Sequence, residues 1–196
     1  MSNIIVDIDD TLMRVAHHLL EPLNALTGKT WTEHNLWSFA LDTVYDTPAH
    51  DIQQIWLKDK SLERATWLGD QLAWLHAASR WIADGHNLIY CSARMWHPDA
   101  ENLTVRQLES KGRHSYKLYL LAPGLSKTEL LLNQGIKPDV FADDHYSHVV
   151  EASQAGAQSL LYSQPWNFQH IWGNRVNTQD ELIAGIDTAL AQVNGY

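Results

Sequence analysis

An apolar stretch that ends abruptly in carboxylates, close to the N-terminus, limits the fold of this chain more than any other feature. It reads Ile4-Ile5-Val6-Asp7-Ile8-Asp9-Asp10-Thr11-Leu12. A short continuous apolar run is typical of a strand that is buried on both faces of a parallel sheet. In such sheets, ligands bind beyond the carboxyl ends of the strands. We therefore expect these aspartates to lie at the functional edge of an α/β sheet.

Folding alone gains nothing from crowding Asp7, Asp9 and Asp10 at one strand end. Like charges in a partly dry cleft repel one another and raise each other's pKa unless a cation joins them. Mg²⁺ is the natural candidate, because it is a hard ion that prefers oxygen ligands. The structural alternative is that these aspartates form a turn or cap the next helix, since Asp is common in both places.

A second apolar run ends in the same way much later in the chain. It reads Asp139-Val140-Phe141-Ala142-Asp143-Asp144. Two separate strands that both end in acid clusters are difficult to explain as features that only promote solubility. Because functional groups of an open α/β sheet gather at the carboxyl ends of its strands, we expect the two acidic ends to form one metal site.

Two intervening segments carry residues that suit a phosphate. The apolar run 87–91 ends in Ser92, whose hydroxyl can donate to a phosphate oxygen together with nearby backbone N–H groups. The run Ser126-Lys127-Thr128-Glu129 has the Ser-x-x-Glu pattern of a helix start. Lys127 then lies in the first turn, where an ammonium group is poorly matched to the helix dipole unless an anion also binds. The alternatives are an ordinary loop serine and a solvated surface lysine.

In order and character, the four segments resemble the motifs of the haloacid dehalogenase-like (HAD) phosphohydrolases. That family combines a strand into Asp-x-Asp-x-Thr, a strand into Ser or Thr, a Lys at a helix start and a strand into paired Asp. All four occur here between Ile4 and about Tyr162. Within the superfamily, the chain most resembles the 5′(3′)-deoxyribonucleotidases. That closer resemblance depends on length, on the place of an insertion and on a tail, Gln164-Pro165-Trp166-Asn167 followed by Arg175.

The resemblance implies a mechanism that uses two catalytic carboxylates. Asp7 attacks phosphorus and forms an aspartyl-phosphate. Asp9 protonates the leaving alkoxide and then takes a proton from the water that hydrolyses the intermediate. The implied Mg²⁺ site consists of Asp7, the carbonyl group of Asp9, Asp143 and Asp144.

The resemblance also implies a set of residues around the phosphate. Ser92 and Lys127 hold the phosphoryl oxygens, and Thr11 steadies the first loop. Arg94 lies two residues beyond the second motif and is included as a phosphate or sugar ligand. A place on the surface is the open alternative for Arg94.

Helix and strand signals alternate along the chain, which predicts an α/β fold with a Rossmann-like parallel sheet and helices on both faces. Strands are expected near residues 3–7, 87–91, 117–121, 139–142 and 158–162. Helices of the core are expected near residues 69–84, 98–111, 126–134, 145–155 and 178–193.

About eighty residues separate the first motif from Ser92, far more than a connection between parallel strands needs. In the family, an insertion at this place is a small helical cap over the active site. We therefore predict a phosphohydrolase core of residues 1–14 and 79–196 and a helical cap of residues 15–78, with cap helices near 14–27, 49–60 and 69–80.

The predicted cap is rich in aromatic residues. One of their rings could stack on a nucleobase, although a small helical unit needs most of its large rings for its own core. The residues are Trp31, Trp37, Phe39, Tyr45, Trp56, Trp67 and Trp74.

Composition agrees with an enzyme that acts on a small phosphorylated metabolite. The formal net charge is −9 and no run of Lys or Arg occurs, so we expect no long nucleic acid as a partner. No apolar stretch approaches membrane-spanning length and the N-terminus leads directly into the first strand, so we expect a cytoplasmic protein without a membrane partner. Cys91 is the only cysteine, which excludes an intrachain disulfide. The oligomeric state stays open.

The sequence thus predicts a Mg²⁺-dependent phosphomonoesterase, with a 5′-nucleotidase acting on (deoxy)nucleoside monophosphates as the first expectation. One alternative is a polynucleotide end phosphatase, which needs an open, basic approach to the site. Another is a general small-molecule or sugar phosphatase of the same superfamily. A further alternative, from a different class, is a non-catalytic member that only binds a ligand or partner.

Overall fold

A parallel sheet forms the centre of the protein, whose computed structural model describes residues 1–38 and 40–195. The strands are β1 (Asn3–Val6), β2 (Met13–Arg14), β3 (Thr66–Trp67), β4 (Asn87–Ser92), β5 (Lys117–Leu120), β6 (Val140–Asp143), β7 (Gln158–Tyr162) and β8 (Arg175–Val176). Six of them form one sheet in the order β5-β4-β1-β6-β7-β8. Every pairing in this sheet is parallel.

Helices connect the strands as the alternating pattern predicts. They are α1 (Ala16–Thr27), α2 (Leu41–Tyr45), α3 (Ala49–Asp59), α4 (Gln71–Ala83), α5 (Ala100–Leu108), α6 (Lys127–Asn133), α7 (Tyr146–Gln154) and α8 (Gln179–Asn194). Within the described ranges, no helix is both long and apolar enough to cross a membrane.

The helices cover both faces of the sheet. Successive side chains of a strand point in opposite directions, so a strand made only of apolar residues needs packing partners on both faces. Ile4 and Val6 belong to an apolar cluster that also contains buried residues of α4 and α8. Ile5 belongs to a second cluster, together with Leu131 of α6 and Ala152 of α7. These three β1 residues are completely buried, which explains why the strand reads as an unbroken apolar run. The predicted fold class is confirmed.

The strand register brings the acidic strand ends together. Val6 of β1 pairs with Tyr90 of β4 on one side and with Ala142 of β6 on the other. The carboxyl ends of the three central strands therefore lie side by side. This is the edge where parallel α/β sheets place their chemistry.

Several short elements were not expected from the sequence. Strands β2 and β3 pair antiparallel in a small separate sheet, β8 extends the edge of the large sheet, and α2 is a helix of five residues. Elements of two to five residues are too short to show a hydrophobic period. Their formation depends on the surfaces against which they lie.

The segment that follows the first motif packs partly on itself. Its helices α1, α2 and α3 surround a third apolar cluster, whose buried members are Ala16, Leu20, Leu23, Leu36, Leu41, Val44, Tyr45, Ile52 and Trp166. Helix α4 instead lies on the sheet, where Trp74 is completely buried and its ring N–H donates to the hydroxyl of Tyr90 at 2.8 Å. The predicted cap limits, residues 15–78, stay a prediction.

Candidate active site

Three carboxylates from two neighbouring strands meet at the carboxyl edge of the sheet. Asp7 directly follows β1, Asp143 ends β6 and Asp144 comes next. One oxygen of each carboxylate lies within 4.8 Å of the others. The backbone N–H of His145 donates to Asp143 Oδ1 at 2.8 Å and so orients that carboxylate. The structure thus brings together the two acidic segments that the sequence predicted as one site.

Lys127 joins this group from the other side. Its Nζ lies 2.6 Å from Asp7 Oδ1 and 2.7 Å from Asp143 Oδ2. Lys127 is the first residue of α6, and the hydroxyl of Ser126 accepts the N–H of Glu129 at 3.1 Å, as the helix-start pattern predicts. Only 3% of Lys127 is exposed, so its ammonium group is a buried charge and not a solvated one.

The electrostatics of the group show an excess of negative charge. Burial, the carboxylate of Asp143 and that of Asp9 raise the pKa of Asp7 to about 7, although Lys127 acts in the opposite direction. Burial and the neighbouring carboxylates also hold the pKa of Asp144 well above its usual value. For Asp143, burial raises the pKa, but Lys127, His148 and the backbone N–H of His145 together outweigh it, and the pKa is lowered. One ammonium group does not balance three carboxylates.

The C-terminal segment fixes the third carboxylate. The ring N–H of Trp166 donates to Asp144 Oδ2 at 2.8 Å, and the side-chain amide of Asn167 donates to the Asp144 carbonyl at 2.7 Å. Arg175 in turn donates to Asn167 Oδ1 at 2.7 Å. The sequence indicated this segment only through its resemblance to the nucleotidase tail, and no spacing rule predicts that it contacts Asp144.

Asp9 lies beside Arg94. Arg94 Nε lies 2.9 Å and 3.0 Å from the two oxygens of Asp9, and its Nη2 also pairs with Oδ1. The hydroxyl of Ser92 donates to Asp9 Oδ2 at 3.4 Å. Arg94 is completely buried, which excludes the surface position that the sequence left open. Its guanidinium group is directed at Asp9.

The remaining residues of the first motif shape the loop. The carboxylate of Asp10 accepts the N–H groups of Val15 at 2.9 Å and of Ala16 at 3.1 Å, so for Asp10 the helix-capping alternative is the one observed. Burial raises the pKa of Asp10 to about 8 in spite of these bonds. Thr11 is completely buried, and its hydroxyl has no hydrogen-bond partner among the described residues.

Most aromatic residues of the predicted cap serve packing. The ring N–H groups of Trp56 and Trp67 donate to backbone carbonyl groups, at 2.9 Å and 3.4 Å. Trp37 is different, because 58% of it is exposed. Phe39 lies outside the described residues. Among the described residues of this set, Trp37 is therefore the one most exposed to solvent.

Solved structures of HAD-superfamily hydrolases are similar in fold to nearly the whole chain. CbbY from Rhodobacter sphaeroides, determined in complex with phosphate, has a TM-score of 0.64 at 14% identity and covers 95% of this chain and 99% of its own. A β-phosphoglucomutase from Pyrococcus sp. strain ST 04 has a TM-score of 0.59 at 18% identity over 100% of both chains.

A haloacid dehalogenase-like family hydrolase from Xanthomonas campestris is similar as well, with a TM-score of 0.58 at 12% identity over 100% of this chain and 99% of its own. Identities this low establish a shared fold. No protein-family model matches the chain, and no curated protein sequence does. The narrower resemblance to deoxyribonucleotidases stays a prediction.

Proposed function

We propose that this protein is a Mg²⁺-dependent phosphomonoesterase that acts on a small phosphorylated metabolite through an aspartyl-phosphate. The observation that carries the proposal is the buried group of Asp7, Asp143, Asp144 and Lys127 at the carboxyl edge of the sheet. Such a group costs stability in the free protein, because its like charges are held together away from water. A bound cation and a phosphate would each relieve part of that cost. The shared fold with HAD-superfamily hydrolases supports the same class of activity.

The donor set fits Mg²⁺. Carboxylate oxygens are the ligands that hard divalent cations prefer, and the three carboxylates are close enough to share one ion. Asp7, Asp143 and Asp144 would hold it, and the carbonyl of Asp9 is the further proposed ligand. When bound, the ion neutralises charge on the transferring phosphoryl group.

The chemistry divides one difficult displacement into two easier ones. An oxygen of Asp7 forms a bond to phosphorus while the bond from phosphorus to the leaving alkoxide breaks, and Asp9 gives that alkoxide its proton. Water then attacks phosphorus, Asp9 takes its proton, and the bond to Asp7 breaks with release of inorganic phosphate. Lys127 lies 2.6 Å from the nucleophile, where its charge favours the ionised and therefore reactive form of Asp7. Lys127 and Ser92 are the proposed partners of the phosphoryl oxygens, and Thr11 steadies the loop that carries Asp9.

For the substrate we propose a (deoxy)nucleoside monophosphate, so that the enzyme is a 5′-nucleotidase. In the predicted cap, Trp37 is an exposed residue whose ring is available to stack on a base. A sugar phosphate is the second candidate, because one of the similar structures is a β-phosphoglucomutase. An end phosphatase of long nucleic acids is disfavoured by the formal charge of −9.

The test is a hydrolysis assay with Mg²⁺ over nucleoside monophosphates, pentose phosphates and 5′-phosphorylated oligonucleotides. We expect phosphate release from at least one small substrate, loss of activity on chelation and recovery on addition of Mg²⁺. Rapid acid quenching of labelled substrate should trap phosphate on Asp7, and Asp7→Asn should trap none. A clean Asp7→Asn preparation with multiple turnovers would rule out the covalent mechanism. A wild-type protein that hydrolyses nothing would favour the non-catalytic alternative.

A further inference from the structure

Arg94 is a charged side chain without any exposure to solvent. It lies just beyond the end of β4, and its exposed fraction is 0%. Among the described residues, Asp9 is the one carboxylate with which it forms an ion pair. A buried guanidinium group needs such a partner, because an unpaired charge away from water is costly.

Every N–H group of Arg94 already has an acceptor. An arginine carries five such groups. The one on Nε points at the two oxygens of Asp9, and Nη2 donates to Asp9 and to Met13 Sδ, the latter at 3.6 Å. The two on Nη1 donate to Thr104 Oγ1 at 3.0 Å and to Gln107 Oε1 at 2.8 Å. No donor is left over for a phosphate oxygen.

The arginine is in turn held by a rigid element. Thr104 and Gln107 both belong to α5, and Thr104 is completely buried. The amide of Gln107 also donates to the carbonyl of Leu62 at 2.8 Å, which ties this contact to the predicted cap. Helix α5 therefore fixes Arg94, and Arg94 fixes the side chain of Asp9.

We infer that Arg94 is a positioning residue for Asp9 and not a phosphate ligand. The inference rests on the proposed phosphatase function, in which Asp9 takes a proton from solvent when the negatively charged phosphate group binds beside it and then transfers that proton to the leaving group. A general acid works only from a defined position within hydrogen-bond reach of the atom it protonates. The side chain of Asp9 is 25% exposed, and without the guanidinium group its remaining side-chain hydrogen bond among the described residues is the long one from Ser92 at 3.4 Å.

If Arg94 positions Asp9, the loss of kcat/KM on replacing Arg94 should depend on the leaving group of the substrate. An alkoxide needs a proton as it departs, whereas p-nitrophenolate is stable without one. Loss of a positioned acid should therefore reduce kcat/KM for an alkyl phosphate far more than for p-nitrophenyl phosphate. Loss of a phosphate ligand should reduce both equally and should also weaken binding of inorganic phosphate.

The test uses Arg94→Lys, which keeps the charge but removes the planar fork. We expect kcat/KM for the alkyl phosphate to fall about a hundredfold, the size typical of general acid catalysis. For p-nitrophenyl phosphate it should fall less than about threefold, and the inhibition constant of inorganic phosphate should change less than about twofold. Gln107→Met should show the same pattern more weakly. Arg106→Lys is the matched control, because Arg106 is an exposed arginine of the same helix that pairs with Asp99.

Equal losses of kcat/KM for both substrates, weaker phosphate binding or no loss at all would overturn the inference.

A double-mutant cycle of Asp9→Asn and Arg94→Lys, measured by unfolding, does not require enzymatic activity. We expect the two changes to be coupled by at least about tenfold in the unfolding equilibrium constant. If wild-type protein hydrolyses neither substrate, the proposed function fails, and this cycle still decides whether Arg94 holds Asp9. If the effects of the two substitutions on stability are additive, the inference that Arg94 holds Asp9 in position is refuted.

Discussion

Replacing Asp7 by Asn should stabilise the metal-free protein at pH 8, although it removes the proposed nucleophile. Asp7 is 5% exposed, and its carboxyl group faces two other carboxylates as well as the ammonium group of Lys127 at 2.6 Å. Burial and the neighbouring carboxylates raise its pKa from 3.8 to about 7, although Lys127 acts in the opposite direction. Asn is close in shape to the protonated acid and carries no charge, so it avoids the cost of ionising this position.

The pKa shift sets both the size and the pH range of the effect. A folded pKa of about 7 against 3.8 in the unfolded chain corresponds to about 4 kcal/mol, at about 1.4 kcal/mol per unit. Between these two values the unfolded chain has released the proton and the folded chain still holds it. The wild-type protein therefore loses stability as the pH rises through that interval, and the loss is complete above about pH 7.

The measurement is urea-induced unfolding with a chelator present, followed by the fluorescence of the nine tryptophans, at pH 4, 6 and 8. At pH 8 we expect Asp7→Asn to be more stable than wild type by about 2–4 kcal/mol, and near pH 4 the difference should almost vanish. Saturating Mg²⁺ should narrow the gap at pH 8, because an ion that binds only the folded state stabilises the wild type more.

Asp9→Asn is the matched control, because it removes the same charge two residues away. It should destabilise the protein, since the buried guanidinium group of Arg94 then loses its carboxylate. A variant Asp7→Asn that is less stable than wild type at pH 8 without metal would refute the reasoning. So would a gain in stability that is the same at all three pH values.

Three further outcomes follow from the site. Asp143→Ala should raise the Mg²⁺ concentration needed for half-maximal activity, because the site loses a carboxylate ligand; an unchanged requirement would remove Asp143 from the metal site. Trp166→Phe should weaken Mg²⁺ binding about tenfold in calorimetry, because Asp144 loses the ring N–H that orients it. The control Trp172→Phe removes a hydrogen bond to a backbone carbonyl and should leave Mg²⁺ binding unchanged. If an aromatic ring of the cap stacks on the base, kcat/KM for a nucleoside monophosphate should be about five- to hundredfold higher than for the matching pentose phosphate. Equal values of kcat/KM would indicate a general small-molecule phosphatase.

The sheet and its acidic edge could be predicted from local patterns. A strand buried on both faces needs an unbroken apolar run, and such runs are visible in the residues of β1 and β6 without any knowledge of their neighbours. The carboxylates directly follow or end those strands, so their place at the sheet edge is set by chain connectivity. The same holds for Lys127, whose position at the start of α6 follows from the Ser-x-x-Glu pattern.

The partners of the side chains around that edge were decided by tertiary packing. The target of Arg94 is a residue 85 positions away in the chain, and Trp166 reaches Asp144 from 22 positions away. Likewise, Trp74 lies in the sheet core and not over the cleft, because α4 as a whole packs on the sheet. Strand and helix signals depend on neighbours within a few residues, whereas these contacts depend on how separate elements dock. For that reason local sequence patterns could indicate which residues stand at the active edge, while the side chains that hold them in place became visible only in the folded protein.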